Sequence, residues 1–426
     1  MSVTAVIGAQ WGDEAKGKIV DLLAGEADLV ARFNGGDNAG HTVVNELGTF
    51  KLRLIPTGIA NAGTTCLIGP GVVVNLNTLM EEAKSLTDSG IALKERLWIS
   101  PRCHVVMPYH PLVETVFESA KGQARTGTTR RGMGPVFADK VSYNGIRLFD
   151  LADQQAFADK LRVQLKLKNP FLQDFGLEPL DFEQVYQDTL EKYAQIKDFV
   201  REPFGLLQQA LQEDKNVLLE GAQAALLDTD WGTYPFSTAS TTLAGGAAAG
   251  LGVAPRWIER VIGVAKAYTG RVGNGPMPTE LLDETGELIR QRGNEYGTVT
   301  GRPRRTGWFD ADLVRFTSQL NGCTEIALTK LDVLDTLPNL RVATGYRDPH
   351  NGTPAHYWQG DARWLEQVQP DYIELEGWMQ TTTQVREFDH LPQNAQAYVR
   401  KIEELVETPV TFLSVGPQRE AMIEMV

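Results

Sequence analysis

Cysteine is scarce in this sequence: Cys66, Cys103 and Cys323 are the three among 426 residues. Odd in number, far apart and without metal-site spacing, they exclude a disulfide framework and a zinc cluster, and they fit ordinary thiols in a reducing compartment. Positive charge is also in deficit. Lys and Arg total 41 against 54 Asp and Glu, a formal net charge of −13, which argues against a diffuse basic face for nucleic acid. An anionic ligand must then be held by local clusters of Lys, Arg and backbone N–H groups. No run approaches the roughly 18 apolar residues that span a bilayer. The first eight residues carry neither a basic stretch nor a long apolar one, so no signal peptide is expected. Internal repeats, low-complexity tails and flexible linkers are missing as well. These absences point to a soluble cytoplasmic protein that binds neither membrane nor nucleic acid. Length alone suggests about two or three domains, but without a linker the expectation is one large domain over residues 1–426.

What is present has the form of an α/β protein. Hydrophobic residues make up 42% and charged residues 22%, a balance that supports a large buried core. Residues 3–7 are a short apolar run that stops at Gly8 and reads as a buried strand, followed by a loop and a helix over Lys16–Leu23. Three later runs end the same way. Residues 216–219 lead into Glu220-Gly221-Ala222-Gln223, residues 325–328 into Thr329-Lys330-Leu331-Asp332, and residues 410–413 into Ser414-Val415-Gly416-Pro417. Ligands of open α/β sheets gather at the carboxyl ends of strands, so four such ends predict one composite site. Residues 151–212 read as helices covering the sheet, and the Gly/Ala-rich run 244–252 as close helix packing.

Gly12-Asp13-Glu14-Ala15-Lys16-Gly17-Lys18 fits the phosphate-loop pattern GxxxxGK. Its glycines let the main chain approach phosphate oxygens, and the helix start offers free N–H groups at the positive end of a dipole. Ile19 follows, where the standard loop has a Ser or Thr for Mg²⁺. Taken alone, the segment is either a surface turn with lysines or a nucleotide loop whose metal is held elsewhere, and Asp13 is an unusual residue that suits the second case.

The run from Gln10 and Trp11 through Lys18 resembles the signature QWGDEGKGK of the adenylosuccinate synthetase family. Eight further blocks resemble that family in order. They are Gly35-Gly36-Asp37-Asn38-Ala39-Gly40-His41-Thr42, Gly127-Thr128-Thr129 with Arg131-Gly132-Met133-Gly134-Pro135, Glu220 to Gln223, Gly232-Thr233-Tyr234-Pro235, Arg271-Val272-Gly273, Gly301-Arg302-Pro303-Arg304-Arg305-Thr306-Gly307-Trp308, Thr329 to Asp332, and Ser414 to Pro417.

The resemblance implies a large, mostly parallel central sheet with flanking helices, a P-loop-like GTP-binding architecture with inserted helical segments, and a homodimer. It implies GTP-dependent ligation of IMP and L-aspartate to adenylosuccinate, with GDP and phosphate, through a 6-phosphoryl-IMP intermediate on the path to AMP. Asp13 and His41 are the implied catalytic residues. An ionised Asp13 accepts the hydrogen bond from purine N1, and His41 donates as charge grows between the β- and γ-phosphates. Asp13 and the Gly40 carbonyl are the implied Mg²⁺ ligands, which answers for Ile19.

GTP falls to Gly12, Asp13, Glu14, Ala15, Lys16, Gly17, Lys18, Gly40, His41, Thr42, Arg304, Lys330, Leu331, Asp332, Ser414, Val415 and Gly416. Asp332 is the reader of guanine, because one carboxylate accepts from both N1–H and the 2-amino group, and adenine has neither donor there. IMP falls to Asp13, Glu14, Ala15, Lys16, Asn38, Ala39, Gly40, His41, Thr129, Gln223, Thr238, Arg302 and the main chain at Val272. Aspartate falls to Thr298, Val299, Thr300, Gly301, Arg302, Pro303 and Arg304, with Arg302 as the forked donor for its carboxylates and Thr300 as hydroxyl partner. The loops near Gly40, at 121–131 and at 298–305 are expected to close over ligands.

Some positions depart from the family pattern. Ala15 replaces a usual glycine, at a cost of about 1 kcal/mol if its φ is positive. Tyr143 stands where an arginine usually reaches the partner subunit's IMP phosphate, with Arg131 or Arg147 as compensating candidates. Ala224 and Ala225 replace Gly-Thr, Thr238-Ala239-Ser240-Thr241 replaces Thr-Ser-Ser-Asn, and Pro303 stiffens the arginine loop. The alternatives are a relative with other nucleotides, such as a phage-type enzyme for dGMP and ATP, a GTP-binding switch, and an inactive paralogue. Asp13 and Asp332 argue against the first, His41 and the arginine loop against the second, and turnover separates the third.

Overall fold

The computed structural model describes residues 2–45, 48–296, 301 and 303–425. At its centre nine strands form one sheet: β1 (Ser2–Gly8), β2 (Leu29–Arg32), β3 (Thr65–Ile68), β4 (Leu97–Ile99), β5 (Asn216–Glu220), β6 (Arg260–Lys266), β7 (Glu325–Thr329), β8 (Val410–Ser414) and β9 (Met422–Glu424). Their lateral order is β9-β8-β7-β6-β1-β5-β2-β3-β4. All pairings are parallel except β8 with β9. This is the mostly parallel sheet with flanking helices that the sequence predicted.

Successive strand side chains point to opposite faces, and here both faces are covered, as parallel sheets require. Val3, Ala5 and Ile7 of β1 join Leu29, Ala31, Val217 and Leu219 in one apolar cluster with Leu207 and Leu211 of the helix Phe204–Gln212. Val6 joins Val30, Ile68 and Leu218 in another, with Ile19 of α1 (Lys16–Leu23) and with Phe157 and Leu161 of the helix Gln154–Asp174. Beyond β6, Ile326, Leu328 and Leu413 pack with Leu313 and Val314 of the helix Ala311–Asn321 and with Val399 and Ile402 of Gln393–Val406. Each large apolar side chain so buried contributes roughly 1.5–3 kcal/mol.

The segment 151–212 is helical as expected, holding the helices Gln154–Asp174, Phe182–Ile196 and Phe204–Gln212. The Gly/Ala run contains the helix Gly246–Leu251. A Cβ on Gly250 would lie 2.1 Å from the Phe33 carbonyl oxygen, so two backbones touch just past β2 and no larger residue fits. Because β1, β5, β6, β7 and β8 run in parallel, Gly8, Glu220, Lys266, Thr329 and Ser414 all end on one edge of the sheet.

Asp310 fixes the helix that follows the arginine segment. Its carboxylate accepts from Leu313 N–H at 3.2 Å and from the Tyr346 hydroxyl at 2.7 Å. Burial pushes its pKa up to about 7, with Asp312 adding to the shift. An acid whose folded pKa exceeds its unfolded value of about 4 favours the fold at low pH, and that contribution is lost as pH rises from about 4 through 7. Asp310→Asn keeps the shape and the capping oxygen without the charge. In urea unfolding it is expected to match wild type near pH 4 and to exceed it near pH 8 by about 2–4 kcal/mol. Equal stability at pH 8 would show that Asp310 ionises in the fold without penalty.

Candidate active site

The loop between β1 and α1 turns through the left-handed region at Gly12 (φ +96°), Asp13 (φ +61°) and Ala15 (φ +63°). Glu14 holds that path from inside. Its buried carboxylate accepts from Gly12 N–H at 2.7 Å, Gln10 N–H at 3.2 Å and Lys16 Nζ at 2.7 Å. Gln10 ties the loop to β6, donating to the Tyr268 carbonyl at 3.1 Å and accepting from Lys266 N–H at 3.0 Å. Trp11 is fully buried and donates to Thr233 Oγ1 at 3.3 Å.

Hydrogen bonds join the strand ends directly. Thr329 Oγ1 at the end of β7 donates to the Glu14 carbonyl at 2.9 Å. Lys18 Nζ reaches the end of β8, donating to Ser414 Oγ at 2.8 Å and to the carbonyls of Gly416 and Ala421 at 2.7 and 2.8 Å. Burial pulls the Lys18 pKa down to about 8. Its three N–H directions are therefore spent on the β8 turn, whereas Lys16 stays at the mouth of α1. At the end of β5, Glu220 Oε1 lies 2.5 Å from His41 Nδ1, and Oε2 accepts from Thr57 N–H at 2.9 Å and Thr57 Oγ1 at 3.2 Å. The two side chains are buried. Burial lowers the His41 pKa against the pull of Glu220, so the resting ring is neutral. Its proton is assigned to Nδ1, facing the carboxylate.

At the end of β7, Lys330 stands at φ +61° ahead of a helical turn over Leu331–Leu334. Leu331, Ser414 and Val415 are buried, and Asp332 is half-buried. Burial first, and Asp335 second, raise the Asp332 pKa. Arg304 lies across the mouth, with Nε 2.6 Å from Asp13 Oδ2. Gln223 Nε2 donates to Asn38 Oδ1 at 2.9 Å, and the buried Gln223 Oε1 has no partner among the described residues. Arg131 Nη1 sits 3.3 Å from Asp37, the residue before Asn38. Thr129 is exposed, and Thr238, half-buried, is tethered to the Leu227 carbonyl at 2.8 Å. Thr298, Val299, Thr300 and Arg302 lie outside the described residues. Gly301 (φ +63°) and exposed Pro303 are described, and Pro303 bridges to Tyr296.

Among the described residues no three His, Cys, Asp or Glu side chains cluster as a metal cage. Mg²⁺ is commonly held by one or two protein oxygens plus substrate phosphates, without such a cage. Asp13, about a quarter exposed, supplies such a carboxylate, and Gly40 is open to solvent.

The family model for adenylosuccinate synthetase matches residues 5–423. A curated adenylosuccinate synthetase from Thermomicrobium roseum is 48% identical over 99% of this chain and 98% of its own length. The chain belongs to the adenylosuccinate synthetase family. A relative from Limosilactobacillus fermentum is 47% identical over 99% of this chain and 98% of its own. The structure of a fully ligated adenylosuccinate synthetase from Plasmodium falciparum superposes with a TM-score of 0.95 at 35% identity, covering all of both chains. A cyanophage S-2L succinoaminodeoxyadenylate synthetase, solved with dGMP and dATP, is 21% identical with a TM-score of 0.61 over 99% of this chain and 95% of its own, and shares the fold. Adenylosuccinate synthetases are GTP-dependent ligases that join IMP and L-aspartate in AMP biosynthesis, and membership makes this chain such an enzyme.

The departures from the family pattern have structural readings. Ala224 is buried against Gly8, and Ala225 opens a short helical turn, both fully enclosed. Tyr143 is 97% exposed, so within its own protomer it completes no part of the site. Of the two arginines named as compensating candidates, Arg131 lies beside Asp37. Arg147 instead lines a cavity of about 440 Å³ with Lys140 and Ser240. Glu220 opens a block that the sequence singled out, though without a role for its carboxylate, and Glu295 was not singled out at all. The available signal was a lone acid ending a buried strand in one case and an acid just before the arginine loop in the other.

Ala15 does take the positive φ that favours glycine. Ala15→Gly is expected to raise stability in denaturant by roughly 0.5–1 kcal/mol, the relieved strain less the added freedom of the unfolded chain. A midpoint at or below wild type would show that the loop stores no strain at residue 15.

Proposed function

We propose that catalysis proceeds through 6-phosphoryl-IMP. O6 of IMP attacks the γ-phosphorus of GTP, the bond to the β–γ bridging oxygen breaks, and GDP leaves. The amine of L-aspartate then attacks C6, the C6–O bond breaks with release of phosphate, and the new amine gives up a proton. Asp13 accepts the N1 proton, which makes O6 the better nucleophile. Glu220 holds Nδ1–H of His41, leaving Nε2 for the phosphates. Their negative charge favours an imidazolium there, and it donates to the oxygen that gains charge as GDP departs. Mg²⁺, held by Asp13, the Gly40 carbonyl and the phosphates, would neutralise phosphate charge. Asp332 reads guanine, with the Lys330 stem on the ring face and Ser414, Val415 and Gly416 closing the pocket. Asn38, Gln223, Thr129, Thr238, Arg302 and the Val272 main chain hold IMP. Arg302, Arg304 and the hydroxyls of Thr298 and Thr300 hold aspartate.

One observation supports this reading most. The base-reading turn after β7 and the loop that carries Asp13 are joined by the Thr329–Glu14 hydrogen bond, and Lys18 ties the same loop to Ser414. A cytoplasmic setting fits the three unpaired cysteines. The exposed Tyr143 suits a homodimer in which that position faces the partner's site. One sheet that draws strands from both ends of the chain supports one domain over residues 1–426.

Steady-state turnover with GTP, IMP, L-aspartate and Mg²⁺, omitting each in turn, tests the reaction. GDP, phosphate and adenylosuccinate are expected together only when all four are present. GTP hydrolysis without IMP or aspartate would instead favour the switch. Asp13→Ala is expected to lower kcat by about 10²–10⁴-fold with an unchanged melting temperature, and near-normal turnover would remove Asp13 as base. Asp332→Asn is expected to compress the GTP-over-ATP preference by about 10²-fold. An unchanged preference would place base reading elsewhere.

A further inference from the structure

Four side chains converge on Glu295. Its Oε1 receives Lys330 Nζ at 2.7 Å, the Tyr268 hydroxyl at 2.5 Å and Lys266 Nζ at 3.2 Å, while Oε2 lies 3.5 Å from Arg304 Nη1. Glu295 and Lys266 are both fully buried. Its carbonyl also accepts from Arg304 N–H at 2.9 Å. The carboxylate thus stands between the two halves of the nucleotide site: Lys330, two residues before Asp332, and Arg304, whose Nε meets Asp13 at 2.6 Å. Burial opposes its charge, but the ammonium groups of Lys266 and Lys330 outweigh burial and hold it below the usual carboxylate range, so it is the anion that neutralises this cluster.

The direction in which Lys330 is pulled matters most. Its ammonium donates to Glu295 and, at 2.9 Å, to the Gly293 carbonyl. Among the described residues no side chain forms an ion pair or hydrogen bond with the Asp332 carboxylate. A carboxylate that is to read guanine must keep its lone pairs for N1–H and the 2-amino group, and an adjacent lysine is the natural competitor for them.

We propose that Glu295 is a specificity-determining positioning residue: by holding the Lys330 ammonium it keeps the Asp332 carboxylate available to guanine. The inference rests on the reading of Asp332 as the guanine reader. Without the Glu295 charge, the freed ammonium turns to Asp332 and occupies the acceptor that distinguishes guanine from adenine.

The test is steady-state kinetics on the full-length enzyme with Glu295→Gln. The KM for GTP is expected to rise and the GTP-over-ATP preference to fall, each about tenfold, while the KM for IMP stays within about twofold. Glu295→Asp should recover part of the preference. Adding Lys330→Met to Glu295→Gln should recover it as well, since no ammonium is left to cover Asp332. If stranding Lys266 prevents folding of the single variant, Lys266→Met/Glu295→Gln carries the same measurement. A folded variant with the wild-type GTP preference, or with the KM values for GTP, ATP and IMP raised alike, overturns the proposal. A wild-type enzyme without GTP preference, unaltered by Asp332→Asn, overturns the underlying reading of Asp332 and the proposal with it.

Discussion

Between β1 and α1 the chain must reverse through three residues of positive φ, and the Glu14 carboxylate is what the reversal winds around. It gathers two main-chain N–H groups and the Lys16 ammonium, while the Glu14 carbonyl is gripped by Thr329 from β7. A buried charge is tolerated only when its hydrogen-bonding capacity is filled, and here the loop itself fills it. The remaining parts of the site are then placed relative to a fixed frame. Lys18 faces β8, His41 packs against Gly17 and meets Glu220, and Asp13 projects to the mouth where Arg304 waits.

The same device recurs along the sheet edge. An acidic protein that takes anionic ligands needs concentrated positive charge in one place, and that charge must be held in register before a ligand arrives. Glu14 neutralises Lys16, Glu295 neutralises Lys266 and Lys330, and Glu220 steadies His41. Each acid faces inward and holds its partner in place, so the net charge of −13 coexists with lysines gathered at the strand ends. Preorganised charge of this kind avoids reorganisation during reaction.

Much of this was legible in the sequence. The four apolar runs became β1, β5, β7 and β8, and their ends do share one edge, because parallel strands leave no other arrangement. The loop after β1 and the helix α1 were readable from glycine and lysine spacing. Side-chain direction was not. Lys18 and Ser414 are 396 residues apart, and His41 and Glu220 are 179 apart, so no local pattern announces either contact. The loop pattern assigns Lys18 to GTP, and nothing in that pattern announces that its ammonium also braces the turn after β8. The positive φ of Ala15 was equally hidden, since a methyl side chain carries no hint that the backbone has turned left-handed.

The position of β5 has a consequence for how the chain is made. Strand β1 is synthesised long before either of its neighbours, because β5 begins at Asn216 and β6 at Arg260. At about 5–20 residues per second, a nascent apolar strand waits on the order of ten seconds or more with both edges unpaired. During synthesis the phosphate loop therefore hangs from a strand that cannot yet dock, and the nucleotide site is among the last features of the molecule to exist.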